Sequence, residues 1–591
     1  MNYPVWFIPG VGGGLLIAMI AIFHVFVSHF AVGGGLYLVA AETKAVRDDN
    51  FPMLEFIRGH AKFFLLVTMV LGGITGVGIW FIIGLVQPGG TSLLIHTYVF
   101  AWATEWVFFL VEIISILVYY YYFNKMERRI HIIVGWIYFI SAWMSLFIIN
   151  GILGFMLTPG SWLQNHDFWF GFFNPTFWPQ LVFRSFVAFM MAGLYAFITT
   201  SFLKNKALKQ QMTRFSGKWV LFSLLAAIPS GIWYLMVLPT VPRNLVEGGS
   251  PTIQRALDSG LIAVVVILVF TLLIAIWKPR FNHPLLAFLV LCFALVFMGS
   301  FEWTREGARR PFVIPGYMYS NGILVQEVAD LNQNGFLHAA KWSSLKEVHQ
   351  DSLIDAGEDI FKLECFACHT VGGINNDIIL RTANMTYPAM LTYLDTMHER
   401  RPFMPPFVGN EEEKKALAAY LIGGLQGKSI AMPAPAGSEP EGEKIFSGNC
   451  IFCHEAGLVK ERTNGWSLEK IRHALDNLSS LNPAMPDFTG PPQEKDELAA
   501  YIHSMNQPSG PEVAPHDPGE DVYENYCAMC HGLKGGGNPL LERVKGWDRD
   551  QIRSALDRLP QLNPAMPPLT APPKEKDALA DFLYSMLQKG E

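Results

Sequence analysis

Eight stretches of this chain, near residues 14–41, 63–86, 97–123, 131–157, 181–202, 219–238, 261–277 and 285–301, are apolar over the length of a bilayer crossing. A bilayer core takes about 20 apolar residues per helix, since every backbone N–H and C=O inside it must be satisfied within the segment. This constraint excludes a single soluble domain and predicts an all-α, polytopic helix bundle. The rest of the 591 residues is polar, so the overall 51% hydrophobic content is an average over two unlike halves. The net charge of -6 supplies no basic face for nucleic acid, and no such partner is expected.

Basic residues in the short loops set the expected orientation, because Lys and Arg are retained on the cytoplasmic side. Lys44, Arg47, Arg58 and Lys62 follow the first stretch, Lys125, Arg128 and Arg129 the third, Lys204, Lys206, Lys209, Arg214 and Lys218 the fifth, and Lys278 and Arg280 the seventh. The intervening loops hold Arg243 and Arg255. The N-terminus is therefore expected outside, and eight crossings return the C-terminal half to the same side, the periplasm of a bacterial inner membrane. The opening residues lack a basic n-region, so the first stretch is read as a retained anchor and not a cleaved signal peptide.

Six of the seven cysteines fall in three Cys-x-x-Cys-His strings: Cys365, Cys368 and His369; Cys450, Cys453 and His454; Cys527, Cys530 and His531. Two thiols on one helical turn add to the two vinyl groups of a haem, and the adjacent His serves as an axial ligand. A zinc or disulfide site is the competing reading, and threefold recurrence favours haem. Each string follows a Gly-Glu-x-Ile/Val-Phe/Tyr segment starting at Gly357, Gly442 or Gly519. After each, by 35, 31 and 35 residues, comes a Pro-flanked methionine, Met404, Met485 or Met566. A thioether there suits the sixth position on the iron, with core packing as the alternative. Amphipathic helices around 417–425, 498–505 and 579–587 close the copies. These units resemble class I cytochrome c domains, expected at 351–428, 441–507 and 518–591 after a connector at 316–350, and three covalent haem c groups follow. His/Met ligation raises their potential.

Polar residues inside the membrane half are functional candidates, since each is costly in lipid. His24 lies in the outer half of the first helix and His29 near its middle. Glu105 and Glu112 are two turns apart on one face of the third. Arg184 is near the outer end of the fifth, and Glu302, Arg305, Glu306, Arg309 and Arg310 mark the outer end of the eighth. Imidazole and carboxylate hold haem iron, and Arg pairs with propionates. The string from Ala21 to Val27 around His24, with Gly33-Gly34-Gly35 and Ala41-Glu42-Thr43, resembles the first helix of subunit I of cytochrome bd-type oxidases. Glu105 with Phe108 to Leu110 and Glu112, Asn150-Gly151 through Pro159-Gly160, and Glu306 to Phe312, similar to the family's Glu-x-Gly-Arg-Gln-Pro-Trp, carry the same resemblance over about residues 10 to 315 of a membrane domain expected at 1–315.

That resemblance implies that His24 and Glu306 ligate non-covalent high-spin haem of b or d type, one or two groups, that Glu105 lies beside that site, and that Glu112 belongs to a proton path. Glu105, Glu112 and Glu306 are thus the catalytic candidates, and Arg184 and Arg309 the propionate-side ones. It also implies a further membrane subunit. The chain departs from the family at Arg184, where a low-spin haem ligand is expected, and in the short connection near 239–260, where the family has a long quinol loop. The fused cytochromes then offer another electron entry, from a periplasmic carrier, towards oxygen. An electron-transfer subunit exchanging with quinone, without oxygen chemistry, is the alternative. His29 is read first as packing or interhelical hydrogen bonding and only secondarily as a copper ligand. His60, His96 and His131 are read as ordinary interfacial histidines, and the aromatic run from Trp162 to Trp178 as an interfacial belt.

Overall fold

A computed structural model describes residues 3–430, 441–450, 456–481, 485, 487–506, 519, 522–523, 526–527, 540–562, 569 and 571–588. Among the described residues eight helices are long and apolar enough to span a membrane: α1 (Gly13–Arg47), α2 (Phe51–Val86), α3 (Val99–Tyr121), α4 (Arg128–Phe155), α5 (Phe177–Ser201), α6 (Lys206–Met236), α7 (Pro251–Trp277) and α8 (Pro284–Ala308). Several outrun the apolar stretch that announces them. α1 continues through Glu42 and Lys44 to Arg47, and Asp48 closes it by donating its backbone N–H to Lys44 O. A wide π turn at Val67–Gly72 interrupts α2.

α5 is the hub, with 78% of its apolar window buried against 6% for α2. It packs on α1, α4, α6 and α8. The approach to α1 is set by Gly33, where a Cβ would lie 1.9 Å from the Ala188 carbonyl oxygen. In lipid, where apolar burial does not drive helices together, such small-residue contacts and their dispersion energy do. Phe30, Phe64, Tyr195 and Phe197 fill the space around this crossing.

A second apolar cluster caps the end of the bundle where α1 begins and α8 ends. It joins Tyr98, Phe155, Trp162, Phe172 and Phe177 to Val313 and Ile314. The last two belong to a small antiparallel hairpin, β1 (Phe312–Ile314) with β2 (Met318–Tyr319), which holds the named strands among the described residues. The aromatic run is therefore more than a belt. Trp162 and Phe172 are core, while Trp169 and Trp178 are exposed, at 62% and 53%.

The chain forms two compact units, one of residues 1–383 and 390–431 and one of residues 384–389 and 432–591. The first holds the bundle and most of the first repeat, whose helices are α9 (Leu353–Glu364), α10 (Ile378–Thr382), α11 (Tyr387–Arg400) and α12 (Glu411–Ala419). Asn410 caps α12 in a reciprocal box with Glu413. The buried Glu413 carboxylate also accepts from the Phe336 and Leu337 N–H groups at 2.8 and 2.6 Å, tying the connector to the repeat. The second unit holds α13 (Glu441–Asn449) and α14 (Pro492–Met505) of the second repeat and α15 (Pro573–Gln588) of the third.

One contact closes all three repeats. A Cβ on Gly357, Gly442 or Gly519 would lie 2.0, 2.0 or 2.1 Å from the carbonyl oxygen of Ala416, Glu497 or Ala578. Four residues on along both sides of each crossing, Phe361 meets Tyr420, Phe446 meets Tyr501, and Tyr523 meets Phe582, with ring centroids 5.6, 5.5 and 6.1 Å apart. The leading glycine of the repeat is thus what lets its first helix lie on its last.

Candidate functional site

The first Cys-x-x-Cys-His string is a tight turn on the end of α9. Cys365 N donates to Phe361 O at 2.9 Å, and Cys368 N and His369 N both donate to Cys365 O at 3.0 Å. This puts two thiols and an imidazole on one turn. His369 Nδ1 lies 3.3 Å from the Asn376 carbonyl, which only accepts, so Nδ1 carries the proton and Nε2 keeps the lone pair. Burial holds the His369 pKa down at about 4, with Arg381 and Arg310 adding to it against that hydrogen bond. A neutral imidazole is the form that binds iron, so the motif fits haem c. Met404 follows in a turn, its carbonyl against His398 Nδ1 at 2.6 Å and its sulfur accepting from Tyr393 Oη at 3.9 Å. Met385, Met390 and Met397 are buried nearby in sequence.

Next to Cys365, Glu364 is buried in an apolar setting. It accepts from Val408 N at 3.1 Å through Oε2, and its Oε1 has no partner. Burial pushes its carboxyl well above the ordinary range, and neighbouring Glu413 pushes the same way.

Inside the bundle, His24 lies eleven residues along α1, about 16 Å from its start. Its Nδ1 is 3.2 Å from Thr75 Oγ1 of α2, leaving Nε2 as the nitrogen available to an iron. On the other side of α1, charged groups from α5 and α8 interlock. Arg184 Nη2 donates to Glu302 Oε1 at 2.9 Å, and Arg305 Nε to Glu302 Oε2 at 3.0 Å. Arg305 Nη2 donates to Glu306 Oε1 at 2.7 Å, and Arg309 takes Glu306 Oε2. Three guanidinium groups thus face two carboxylates. Arg184 Nε and Arg305 Nη1 are buried without a protein partner. A cationic excess with unused donors suits haem propionates. Both oxygens of Glu306, by contrast, are already engaged. Among the described residues no three His, Cys, Asp or Glu converge as an ion site. Haem iron needs only axial ligands, and the separate imidazoles fit that demand.

A polar ladder runs between α3 and α4. At the end remote from the cytochrome repeat, His131 places Nε2 2.7 Å from Tyr119 O and Nδ1 2.7 Å from Glu42 Oε1. Tyr119 Oη and Arg128 Nη1 donate to the same Glu42 carboxylate at 2.7 and 2.9 Å. Seven residues along each helix, Tyr138 Oη donates to Glu112 Oε1 at 3.2 Å and to Ala31 O at 3.1 Å. A further step of seven brings Glu105 opposite Ser145.

The structure corrects the reading of two histidines as ordinary interfacial ones. His131 is wholly buried and His60 is 1% exposed. His60 uses Nδ1 against Thr199 Oγ1 at 2.9 Å, stacks on Phe56, and leaves Nε2 buried with no partner. His29 is similar: Nδ1 donates to Val25 O at 2.8 Å and Nε2 is unpartnered. The hydrogen bond expected of His29 is therefore intrahelical. His96 is exposed, with Nδ1 at Ser92 O. In the second unit, Cys450 and Cys527 end their first helices and Met485 is half-buried. Cys453, His454, Cys530, His531 and Met566 lie outside the described residues.

Comparison with known proteins separates the bundle from the three repeats. Residues 15–236 match the family model described as cytochrome bd terminal oxidase subunit I. Residues 352–421, 437–502 and 514–583 each match the model described as cytochrome c oxidase, cbb3-type, subunit III. Among curated proteins, the Cbb3-type cytochrome c oxidase subunit FixP of Sinorhizobium medicae is 28% identical over 16% of this chain and 40% of its own length. The Cbb3-type cytochrome c oxidase subunit CcoP of Rubrivivax gelatinosus is 28% identical over 22% of this chain and 47% of its own. The chain thus spans less than half of either relative. Cytochrome c6 of a Nostoc species is 29% identical over 15% of this chain and 91% of that protein. A solved bd oxidase chain from Geobacillus thermodenitrificans superposes with a TM-score of 0.46 at 17% identity, over 53% of this chain and 90% of that one.

Proposed function

We propose that this chain, a membrane region similar to subunit I of cytochrome bd terminal oxidases joined to three cytochrome c domains, is an oxidoreductase subunit that takes electrons from a periplasmic carrier and reduces oxygen. The cytochrome families make it a membrane electron-transfer protein with c-type haem and a bd-type bundle. The observation that carries the finer reading is His24, fixed through Nδ1 by Thr75 in the half of the bundle that faces the first cytochrome motif. His24 would hold a non-covalent haem, which would supply an open iron position for a diatomic ligand, and Arg184 and Arg305, on the other side of α1, would suit haem propionates. Glu112 and Glu105 would lie on a proton path at successive depths on one face of α3, with Tyr138 orienting the Glu112 carboxyl. His369, His454 and His531, with Met404, Met485 and Met566, would hold the irons of the three covalent haems.

This reading sets the N-terminus and the cytochrome domains on the periplasmic side of the inner membrane, beside a second membrane subunit. A haem inventory tests it: acid-acetone extraction with pyridine haemochrome spectra, then carbon monoxide difference spectra of the reduced protein. Covalent haem in threefold amount and extractable haem that binds carbon monoxide are expected. The engagement of both Glu306 oxygens by arginine favours a second reading, a relay to quinone or a partner complex without oxygen chemistry. Extractable haem silent to carbon monoxide would select it.

A further inference from the structure

The first repeat is not merely tethered to the bundle. Val371 N, two residues past the motif histidine, donates to Pro9 O at 2.9 Å, so the motif's loop is hydrogen-bonded to the segment that leads into α1. Phe366, inside the motif and 1% exposed, meets Phe7 edge-on at 4.7 Å, and Lys362 of α9 places its ammonium 5.5 Å from the same ring. From the other side the exit of α8 reaches in. Arg310 directs its guanidinium at Cys368 Sγ, with Ser320 Oγ 3.9 Å from the same sulfur.

Arg310 also adjoins Arg309, which holds Glu306. From Arg309 a row of alternating charges runs through Glu306, Arg305 and Glu302 to Arg184 on the hub helix. Once Cys368 becomes a thioether, its sulfur is neutral and weakly accepting. The guanidinium would then remain as a cation on the Cys368 side of the haem, in a partly dry setting. A nearby cation disfavours the ferric state relative to the ferrous, which carries one positive charge less, and so raises the midpoint potential.

We propose that the haem of the first motif is seated on the mouth of the bundle and that Arg310 is a positioning residue for it, holding its Cys368 side and raising its midpoint potential. The proposal rests on the reading of this motif as a haem c site and deepens it, naming which side of that haem faces the membrane region.

The test is an equilibrium redox titration of the purified full-length protein, followed in the visible bands of haem c. The first haem's wave is identified by its disappearance in the Cys365→Ala/Cys368→Ala variant. Arg310→Gln should lower that wave and leave the other two in place, and Arg310→Lys, which keeps the cation, should restore most of the shift. Phe7→Ala, which alters the bundle side and leaves the motif's sequence intact, should lower the same wave by admitting solvent. An unmoved wave in Arg310→Gln would overturn the role of Arg310, an unmoved wave in Phe7→Ala would overturn the seat on the bundle, and equal movement of all three waves would overturn both. Carbon monoxide binding on the same samples keeps the two readings apart. A shifted wave without carbon monoxide binding leaves the seat intact and sinks only oxygen reduction.

Discussion

Arg184 on α5 and Glu302 on α8 meet at 2.9 Å with side chains only 3% and 5% exposed, so the hub helix and the last helix are joined through an ion pair shut off from solvent. Such a pair adds little net stability over an apolar replacement, but removing one partner strands the other as a buried charge, at a cost of about 3–5 kcal/mol. Arg305 remains to share Glu302, which tempers the loss. Arg184→Met alone and Glu302→Met alone should each lower the thermal midpoint of the detergent-solubilised protein markedly. The double variant should lose clearly less than the two losses added together. Strict additivity would mean that the two groups do not depend on each other.

His24→Ala should remove extractable haem while leaving the three covalent groups. Thr75→Val, which deletes only the partner of Nδ1, should retain the haem with weaker binding, about 10-fold to 100-fold on the scale of partners behind metal ligands. Extraction and a haemochrome spectrum read both. Unchanged extractable haem in His24→Ala would move the ligand elsewhere, with His29 and His60, each carrying an unpartnered buried Nε2, as the residues to examine next.

Gly442→Val puts a branched side chain where a Cβ already lies 2.0 Å from the Glu497 carbonyl oxygen. Overpacking of this kind costs about 1–3 kcal/mol and pries α13 from α14. Covalent haem should fall from three groups towards two, with the first and third repeats still loaded. A full complement at an unchanged thermal midpoint would show that the close approach is dispensable.

Glu364 gives the first repeat a pH dependence of definite sign. Its folded-state pKa is raised above the ordinary value of 4.5, so above that value the unfolded chain sheds a proton that the folded one keeps. Stability therefore falls as pH rises, by about 1.4 kcal/mol per pH unit, until the folded carboxyl ionises too. Glu364→Gln preserves an oxygen for Val408 N and removes the titration. Hydrogen exchange of α9 in the intact protein, followed upward in pH from the ordinary carboxyl range, should show falling protection in the wild type and a flatter line in the variant. Equal slopes would place the pH sensitivity in another group.

Much of this was legible in the sequence because it recurs with a period. Eight apolar runs gave eight spans, and the thrice-repeated Gly-to-His string marked three helical repeats. The reason for the leading glycine was not visible, because its partner carbonyl lies some 60 residues on and any residue type can present one. The seat of the first repeat on the bundle was equally hidden. Pro9 and Val371 are joined by a backbone bond across most of the chain, which leaves no mark on side-chain pattern. His24 stood out through its neighbours. His60 and His131 did not, since residues near the end of an apolar run are as easily interior as exposed, and only the helix packing decides. Glu105 and Glu112 were seen as one face of a helix, but the facing polar stripe of His131, Tyr138 and Ser145 at the same interval went unread.

That matched interval restricts how α3 and α4 can change length. A single residue inserted between Glu112 and Tyr119 would turn everything beyond it by about 100°, carrying one rung out of phase while the other stayed. Whole steps of seven, taken in both helices together, would preserve the facing pairs. Relatives that keep the ladder should therefore confine their insertions and deletions to the loops around these helices, and a gap falling inside either helix would mark a protein in which the Glu42, His131 and Tyr119 cluster and the Glu112 and Tyr138 pair no longer stand on the same line.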